Sequence, residues 1–206
     1  MYVKICGLRD EATALHAIRE GADAIGVVMS EGSPRNATRE EAEAVVTAAH
    51  SLDRHIDAVL VVRHMRAADA AQLARELGFD VLQLHGDYTQ ADFESAAAIH
   101  PRIWRAASLV TTPDLRSGEY SEERLLVDSP DPGSGNSWDL EGISSAQLGD
   151  SWLLAGGLSP NNVASAISQA RPGGVDVSSG VEIKPGIKSL ERITQFIQAA
   201  RSASSN

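Results

Sequence analysis

Residues 152–167 read WLLAGGLSPNNVASAI, and this stretch holds the pattern that decides the fold. Its apolar beginning, Trp152 to Ala155, predicts a short buried strand, and the two glycines that follow allow the chain to turn sharply. Ser159 and Pro160 are typical of the N-cap and the first residue of a helix, which the remaining residues continue. The stretch therefore predicts one unit of strand, turn and helix.

The same unit recurs along the chain. Seven further apolar runs precede stretches with helical patterns, at intervals of roughly 20 to 30 residues, as is usual for successive βα units. These runs are Tyr2 to Ile5, Asp23 to Val28, Ala58 to Val62, Val81 to Leu84, Ile103 to Ala106, Leu125 to Asp128 and Val175 to Val177. The helix after the second run starts with Thr38 and Glu41, which are spaced as a capping box.

Eight such units in 206 residues predict an α/β protein with one domain, a compact (β/α)8 TIM barrel over residues 1–206. An open doubly wound sheet usually has fewer strands and often carries a Gly-rich dinucleotide turn, and no GxGxxG pattern follows the first strand here. Residues 108–123, SLVTTPDLRSGEYSEE, are rich in polar side chains, so we expect a degenerate helix or a loop there.

Composition excludes several classes of function. The chain has 18 Lys and Arg against 28 Asp and Glu, which argues against a general attraction to nucleic acid or to an anionic membrane. Cys6 is the single cysteine, so an internal disulfide is excluded, and Cys and His do not cluster at zinc-ligand spacings. With neither a signal peptide nor a membrane span in the sequence, we expect a soluble, cytoplasmic protein that acts as a monomer.

Successive residues of a barrel strand alternate between the interior and the surrounding helices. If Val3 and Ile5 face the helices, then Lys4 and Cys6 point inward. The same parity turns three further pairs inward, namely Gln83 and His85, Leu126 and Asp128, and Asp176 and Ser178. Several of these side chains are polar and lie at C-terminal strand ends, the face on which barrel enzymes carry their active sites.

Cys6 and Asp128 each allow two interpretations. Free cysteines are often buried and inert, but a thiol at a strand end, above an inward lysine, is placed to react. With an ordinary pKa of about 8.5, such a thiol needs a positive neighbour or a charge-stabilising ligand to act as a base. Asp128 is either a turn cap or a desolvated carboxyl. Desolvation favours the neutral form of a carboxyl, which suits a proton donor.

The loops after the seventh and eighth strands, in LLAGGLSPNN and GVDVSSGVE, offer backbone amides near a helix start. These two loops commonly form a phosphate site in barrels, although ordinary tight turns have the same composition. The candidate phosphate-binding residues are Gly156, Gly157, Ser178, Ser179 and Gly180.

Two further residues are candidates for contact with a substrate. Arg35, after the second strand, is either a solvated surface residue without an obvious protein partner or a bidentate partner for a carboxylate at the barrel mouth. His85, after the fourth strand, is interpreted as a hydrogen-bonded histidine that shapes the pocket rather than as a catalytic one.

Together these residues resemble the phosphoribosylanthranilate isomerase family of tryptophan biosynthesis, over essentially the whole chain. The motifs are VKICGL, GADAIGVV, SPR, VLQLHGD, LLVDS, GSG, LLAGGLSPNNV, RPGGVDVSSGVE and PGIKS. The resemblance implies a (β/α)8 barrel that binds a small phosphorylated substrate. It also implies an Amadori rearrangement of N-(5-phosphoribosyl)anthranilate to 1-(2-carboxyphenylamino)-1-deoxyribulose 5-phosphate, without cofactor or metal.

The resemblance also implies roles for the matching residues. Asp128 matches the general acid that protonates the furanose ring oxygen, and Cys6 matches the general base that removes the C2 proton. Arg35 matches the arginine for the anthranilate carboxylate, and Asp176 matches a substrate-contacting aspartate. The glycine and serine loops match the phosphate grip of the family.

The chain departs from the family pattern in three places. Gly26-Val27-Val28-Met29 stands where GFVF is common, and Leu60-Val61-Val62 stands where the third strand usually ends in FVN. The sixth loop carries Pro132, and Asn136 replaces its usual lysine. We expect the two changes in the sixth loop to alter its closure over the substrate, and hence rate and affinity, rather than the type of reaction.

Three alternatives remain at this point. The related histidine-pathway isomerisation uses an Asp in place of Cys6, in a usually longer barrel whose half-barrel repeat this sequence lacks. A non-catalytic phosphate-binding barrel has no need of both Cys6 and Asp128. Schiff-base aldol chemistry requires Lys4 or Lys184 at the mouth, and Lys4 is expected below it.

Overall fold

The computed structural model describes residues 1–129, 143, 148–149 and 152–203. Eight parallel strands close into a barrel in chain order, with the last strand pairing back to the first. The strands are β1 (Tyr2–Cys6), β2 (Ala24–Val28), β3 (Asp57–Val62), β4 (Val81–His85), β5 (Ile103–Ala107), β6 (Arg124–Val127), β7 (Trp152–Leu154) and β8 (Gly174–Val177). The predicted barrel is confirmed, and each strand lies within one residue of its predicted bounds.

Helices cover the outside of the barrel. They are α1 (Glu11–Glu20), α2 (Arg39–His50), α3 (Ala67–Leu77), α4 (Gln90–Ala97), α5 (Val163–Ala170) and α6 (Leu190–Ala203). The predicted capping box of α2 is confirmed, because the Thr38 hydroxyl accepts from the Glu41 N–H at 3.2 Å and the Glu41 carboxylate accepts from the Thr38 N–H at 2.8 Å. None of the helices in the described part of the chain has the length and hydropathy of a membrane span.

The segment between β5 and β6 is irregular. Residues 108–123 are all described and form turns and bends without a helix, as their polar composition predicts. The departures at Pro132 and Asn136 lie outside the described residues.

The start of α5 differs from the prediction. Ser159 is not its N-cap, because the helix begins four residues later at Val163. The side chain of Asn162 explains the difference, since its Oδ1 accepts from the Ser159 N–H at 2.7 Å and its Nδ2 donates to the Gly157 carbonyl at 2.9 Å. Asparagine amides compete with helical bonds in this way, and here they fix a turn directly after β7.

A short hairpin between β8 and α6 was missed by the sequence interpretation. Its strands, β9 (Glu182–Lys184) and β10 (Ile187–Lys188), pair antiparallel around a Pro-Gly turn. A Cβ on Gly186 at this turn would lie 2.4 Å from the Pro34 carbonyl oxygen. The hairpin therefore packs closely on the loop that carries Arg35.

Alternation along the strands divides the core into two layers. Val3 and Ile5 are fully buried between β1 and the helices. Cys6 instead belongs to a cluster inside the barrel that includes Trp104 and Leu126. The predicted inward parity of β1 and β6 is thereby confirmed.

The N-terminal end of the barrel is closed by a polar network. The Tyr2 hydroxyl donates to Asp57 Oδ2 at 2.5 Å, and Arg102 Nη1 donates to Asp57 Oδ1 at 2.6 Å. Burial raises the pKa of Asp57, but the hydrogen bonds from Arg102 and Tyr2 outweigh it and leave this pKa below its ordinary value. The ionised carboxylate therefore stabilises the folded barrel at neutral pH.

Candidate active site

The C-terminal ends of the strands surround a cavity of about 630 Å³. Its lining includes Cys6 from β1, His85 from β4, Asp128 after β6, Asp176 from β8, and Arg35 and Ser178 from loops. A cavity of this size accommodates a small phosphorylated molecule. Closure of the barrel thus brings the predicted acid, base and substrate-contacting residues to one place.

Lys4 and Asp176 form an ion pair beneath Cys6. The register of β1 and β8 places the two residues side by side, and Lys4 Nζ donates to Asp176 Oδ1 at 2.9 Å. Lys4 is fully buried in this pair, and Lys184 lies exposed on β9. Neither amine is free in the cavity, so the Schiff-base alternative has no nucleophile here.

Cys6 is buried at the mouth, with 6% of its surface exposed. Burial raises the pKa of the thiol above its ordinary value, and the positive charges of Lys4 and Lys188 oppose this increase. The opposite residue on β2 is Gly26, where a Cβ would lie 2.9 Å from the Cys6 sulfur. The sulfur therefore occupies space that only glycine leaves open.

Asp128 has the electrostatics of a proton donor. Burial raises the pKa of its carboxyl to about 6, although the Ser129 N–H donates to Oδ1 at 2.7 Å and acts against the increase. With this pKa, about a tenth of the carboxyl is neutral at pH 7, far more than for an exposed aspartate. The burial of Asp128 supports the interpretation as a desolvated carboxyl, and the bond from the Ser129 N–H shows that the same carboxyl also holds the turn.

His85 shapes the pocket but lacks the expected hydrogen bond. Its Nε2 lies 3.7 Å from Asp128 Oδ2, and the ring donates to or accepts from no described residue. Burial lowers the pKa of His85 to about 4, helped by the charge of Arg63. The ring is neutral at pH 7, so its contact with Asp128 is not an ion pair.

Arg35 has a protein partner that the sequence interpretation missed. Its Nε and Nη2 donate to the Glu182 carboxylate at 2.7 and 2.9 Å, and both residues are buried, so the interpretation as a solvated surface residue is wrong. Among the described residues, none accepts a hydrogen bond from Arg35 Nη1. One edge of the guanidinium therefore remains for a carboxylate in the cavity.

The loops after β7 and β8 touch each other through their backbones. A Cβ on Gly180 would lie 1.8 Å from the Leu158 carbonyl oxygen, so only glycine permits this approach. Ser178 lines the cavity and its hydroxyl donates to the Cys6 carbonyl at 3.2 Å. The other candidates belong to these two adjoining loops but are not among the described residues that line the cavity; they are Gly156, Gly157, Ser179 and Gly180.

Three residues of the site were given no role by sequence reasoning. Glu182 and Lys188 lie on the missed hairpin, and Gln83 places a buried Oε1 without a partner among the described residues in the cavity wall. The segment EIKPGIK carried a usable signal, because a Pro-Gly pair flanked by Ile-Lys pairs predicts a short hairpin. No pattern in the sequence indicated that Glu182 and Lys188 of this segment would be buried.

A closed parallel barrel whose C-terminal strand ends surround a cavity with titratable side chains has the architecture of barrel enzymes, and a thiol and a carboxyl of raised pKa in that cavity suit proton transfer. The particular family follows from comparison with known proteins. The family model described as N-(5'phosphoribosyl)anthranilate (PRA) isomerase matches residues 3–199. The chain belongs to this family, which confirms the resemblance found in its motifs.

Individual relatives are similar to this chain over nearly the whole length of both proteins. N-(5'-phosphoribosyl)anthranilate isomerase of Solibacter usitatus is 36% identical, over 98% of this chain and 98% of its own. The crystal structure of TrpF from Jonesia denitrificans is 46% identical, with a TM-score of 0.86 over 99% and 98% of the two chains. A phosphoribosyl anthranilate isomerase in complex with reduced 1-(o-carboxyphenylamino)-1-deoxyribulose 5-phosphate is 29% identical, with a TM-score of 0.80 over 98% and 99%.

Proposed function

We propose that this chain, a phosphoribosylanthranilate isomerase of tryptophan biosynthesis, uses Cys6 as general base and Asp128 as general acid. The observation that supports these roles is their placement, because Cys6 ends β1, Asp128 directly follows β6, and both line one cavity. Two strands, β7 and β8, separate them around the barrel, so they approach a ligand from different sides. The reaction is the Amadori rearrangement of N-(5'-phosphoribosyl)anthranilate.

Asp128 acts in the first step. Its neutral carboxyl donates a proton to the furanose ring oxygen, and the bond between C1 and this oxygen breaks. The anthranilate nitrogen supplies the electron pair that closes the C1=N bond, so the product of the step is a positively charged iminium and an Asp128 carboxylate. The raised pKa of Asp128 maintains the neutral form that this step requires.

Cys6 acts in the second step. Its thiolate removes the C2 proton, and the electrons of the C2–H bond form a C1=C2 bond and neutralise the iminium nitrogen. The enolamine that results tautomerises to the ketone. Because the iminium acidifies the C2 proton, a thiolate of moderate basicity is a sufficient base.

The remaining lining residues bind the substrate. Arg35 uses the guanidinium edge not occupied by Glu182 for the anthranilate carboxylate. Asp176 contacts the ribose hydroxyl groups, and the neutral ring of His85 shapes the wall beside Asp128. The loops containing Gly156, Gly157, Ser178, Ser179 and Gly180 bind the phosphate, which is supported by the direct contact of the two loops.

Turnover is the first test of this function. Anthranilate fluorescence should disappear when freshly prepared phosphoribosylanthranilate is added to the protein, with single-turnover traces at high enzyme concentration. The histidine-pathway aminoaldose is tested in parallel and should react far more slowly. No turnover would favour the non-catalytic barrel, whereas comparable rates on both compounds would favour a dual isomerase.

The substitution Arg35→Lys should raise KM about 10-fold to 100-fold with little change in kcat. The reason is that Lys keeps the charge but cannot bind a carboxylate through two parallel N–H groups, and this contact is equally present in substrate and transition state. Arg9→Lys is the matched control, since Arg9 makes a similar two-bond contact with Glu41 outside the lining of the cavity. An unchanged KM for Arg35→Lys would contradict the assignment.

Titration of the free protein should show one aspartate with a pKa of about 6. Burial of Asp128 is the cause, so its carboxyl should lose its proton only as the pH rises through this value. The measurement is a ¹³C NMR titration of aspartate carboxyl signals between pH 3 and 9, and no substrate is needed. The signal should be missing from Asp128→Asn; a signal that titrates near pH 4 instead would contradict the proposed acid.

We further propose that residues 1–206 form one domain that acts as a monomer in the cytoplasm. The proposal is supported by the closure of all eight strands within one chain and by a reaction on a small phosphorylated metabolite. Sedimentation velocity over a hundredfold range of protein concentration tests the monomer. A dimer that persists at every concentration would contradict it.

A further inference from the structure

The hairpin of β9 and β10 carries a buried cluster of charges beside the base. One carboxylate oxygen of Glu182, Oε1, accepts from Arg35 Nε at 2.7 Å and from Lys188 Nζ at 2.8 Å. The Lys188 side chain is only 5% exposed, and that of Glu182 only 4%. Two cations thus share one anion, which leaves a net positive charge at this side of the mouth.

Lys188 reaches toward Cys6 through Ser178. Its Nζ donates to the Ser178 carbonyl at 2.9 Å and contacts the Ser178 hydroxyl at 3.3 Å, and that hydroxyl donates to the Cys6 carbonyl at 3.2 Å. A Cβ on Gly7, the residue after Cys6, would lie 3.2 Å from Lys188 Nζ. Although it lies this near to the base, Lys188 is not among the described residues that line the cavity.

We propose that Lys188 is a positioning residue for the reaction, held by Glu182 so that its charge favours the thiolate of Cys6. The assignment rests on the proposed role of Cys6 as base. The hairpin thereby links two parts of the site, because the carboxylate that holds Lys188 also orients Arg35.

Charges on the strands beneath Cys6 act in both directions. The charge of Lys4 and its hydrogen bond to the thiol lower the pKa of Cys6, whereas its partner Asp176 raises this pKa, so Lys188 adds a second positive charge to that of Lys4. Across the cavity, neither Asp128 nor His85 supplies a positive charge to Cys6, because Asp128 is a carboxyl and the His85 ring is neutral at pH 7.

The remaining cations near the site are arginines. Arg35 is paired with Glu182, and Arg63 lies in the cavity lining after β3. The Glu182 cluster differs from the Lys4 pair because its cations outnumber its anion. Burial lowers the pKa of Lys188, and the Glu182 carboxylate opposes this effect and helps to keep the amine charged.

The single thiol of the chain makes a direct test possible. Alkylation of Cys6 by iodoacetamide is followed by mass spectrometry between pH 6 and 11, in wild type and in Lys188→Gln. We expect the midpoint of the profile to move up by about one pH unit and the rate at pH 8 to fall about tenfold in the variant. The plateau at high pH reports the accessibility of the thiol and should stay within about twofold.

Matched variants separate charge from structure. Lys188→Met keeps the aliphatic stem and should show the same shift, while Lys188→Arg should restore the wild-type midpoint. Lys184→Gln removes an exposed lysine of the same hairpin and should leave the profile unchanged. An unshifted midpoint in folded Lys188→Gln and Lys188→Met, or an equal shift in Lys184→Gln, would overturn the proposal.

These outcomes do not depend on turnover. If Cys6→Ala stays fully active while Lys188→Gln shifts the thiol midpoint, then the base is wrongly assigned and the electrostatic effect of Lys188 still holds. If Cys6→Ala is inactive and Lys188→Gln leaves the midpoint unchanged, then the base is right and the role of Lys188 is wrong.

Discussion

Replacement of Asp128 by Asn should lower kcat at least about 10²-fold and, at pH 8, should raise the free energy of unfolding by about 3 kcal/mol. The loss of activity follows because an amide cannot donate the proton that opens the furanose ring. The gain in stability follows because the folded protein no longer holds an ionised carboxylate in a buried place. Function and stability should therefore change in opposite directions at this one position.

The gain in stability should depend on pH in a defined way. The folded pKa of Asp128, about 6, lies above the ordinary value of 3.8. Below about pH 3 the carboxyl is neutral in both the folded and the unfolded state, so Asn and Asp should be similar there, and at pH 4 most of the difference should already be lost. Above pH 6 the folded wild type bears the full cost of ionisation, and the difference should be largest. Urea unfolding at pH 4 and pH 8 measures both values.

Asp57→Asn is the matched control at the opposite end of the barrel. The pKa of Asp57 is lowered, so its carboxylate stabilises the fold above the ordinary pKa and loses this effect as the pH falls. Its replacement should therefore destabilise the protein at pH 8, while the folded variant keeps its kcat. A stability gain in Asp57→Asn, or none in Asp128→Asn, would contradict the electrostatic account.

Cys6→Ala should also lower kcat at least about 10²-fold, because Cys6 is the proposed base and no second thiol lies among the described residues that line the cavity. Cys6→Ser should remain slow too, since a hydroxyl ionises far less readily than a thiol. The measurement is the single-turnover loss of anthranilate fluorescence in folded variants. With a substrate deuterated at C2, residual turnover in Cys6→Ser should show a larger isotope effect than wild type.

Binding of a product analogue distinguishes lost chemistry from a damaged cavity. Reduced 1-(o-carboxyphenylamino)-1-deoxyribulose 5-phosphate should bind Cys6→Ala and Asp128→Asn with affinities within about tenfold of wild type, because its carboxylate and phosphate contacts are unchanged. Full activity in either variant would leave the reaction assigned but its mechanism wrong.

The barrel was predictable from the sequence because each strand is a short apolar run with its own turn. The alternation of Val3, Lys4, Ile5 and Cys6 already fixed which side chains point inward, and the structure confirms that order. The start of α5 was wrongly predicted, since Asn162 bonds to the backbone of the preceding turn and delays the helix. Such a bond depends on tertiary geometry, which a capping pattern alone does not contain.

The site was predictable where strand ends determine position and less so where side chains from distant segments meet. Cys6 and Asp128 follow from strand parity, and both line the cavity. The contact of Arg35 with Glu182 joins residues 147 positions apart, so no local pattern could indicate it. Pairing on the hairpin, rather than composition, turns Glu182 and Lys188 toward the site.

The close approach of Gly180 to the Leu158 carbonyl has a consequence for how this barrel can diverge. Because main chains form the contact, side chains elsewhere in the two loops can change without disturbing it. Glycine is required at position 180 by this approach and is favoured at 156 and 157, where φ is 84° and 64°. A descendant of this protein could therefore accept a substrate with a different group attached to the sugar, through changes in the segments that carry Arg35 and His85. The phosphate site that we propose for the two glycine loops would be inherited unchanged, so the two sides of the mouth could evolve separately.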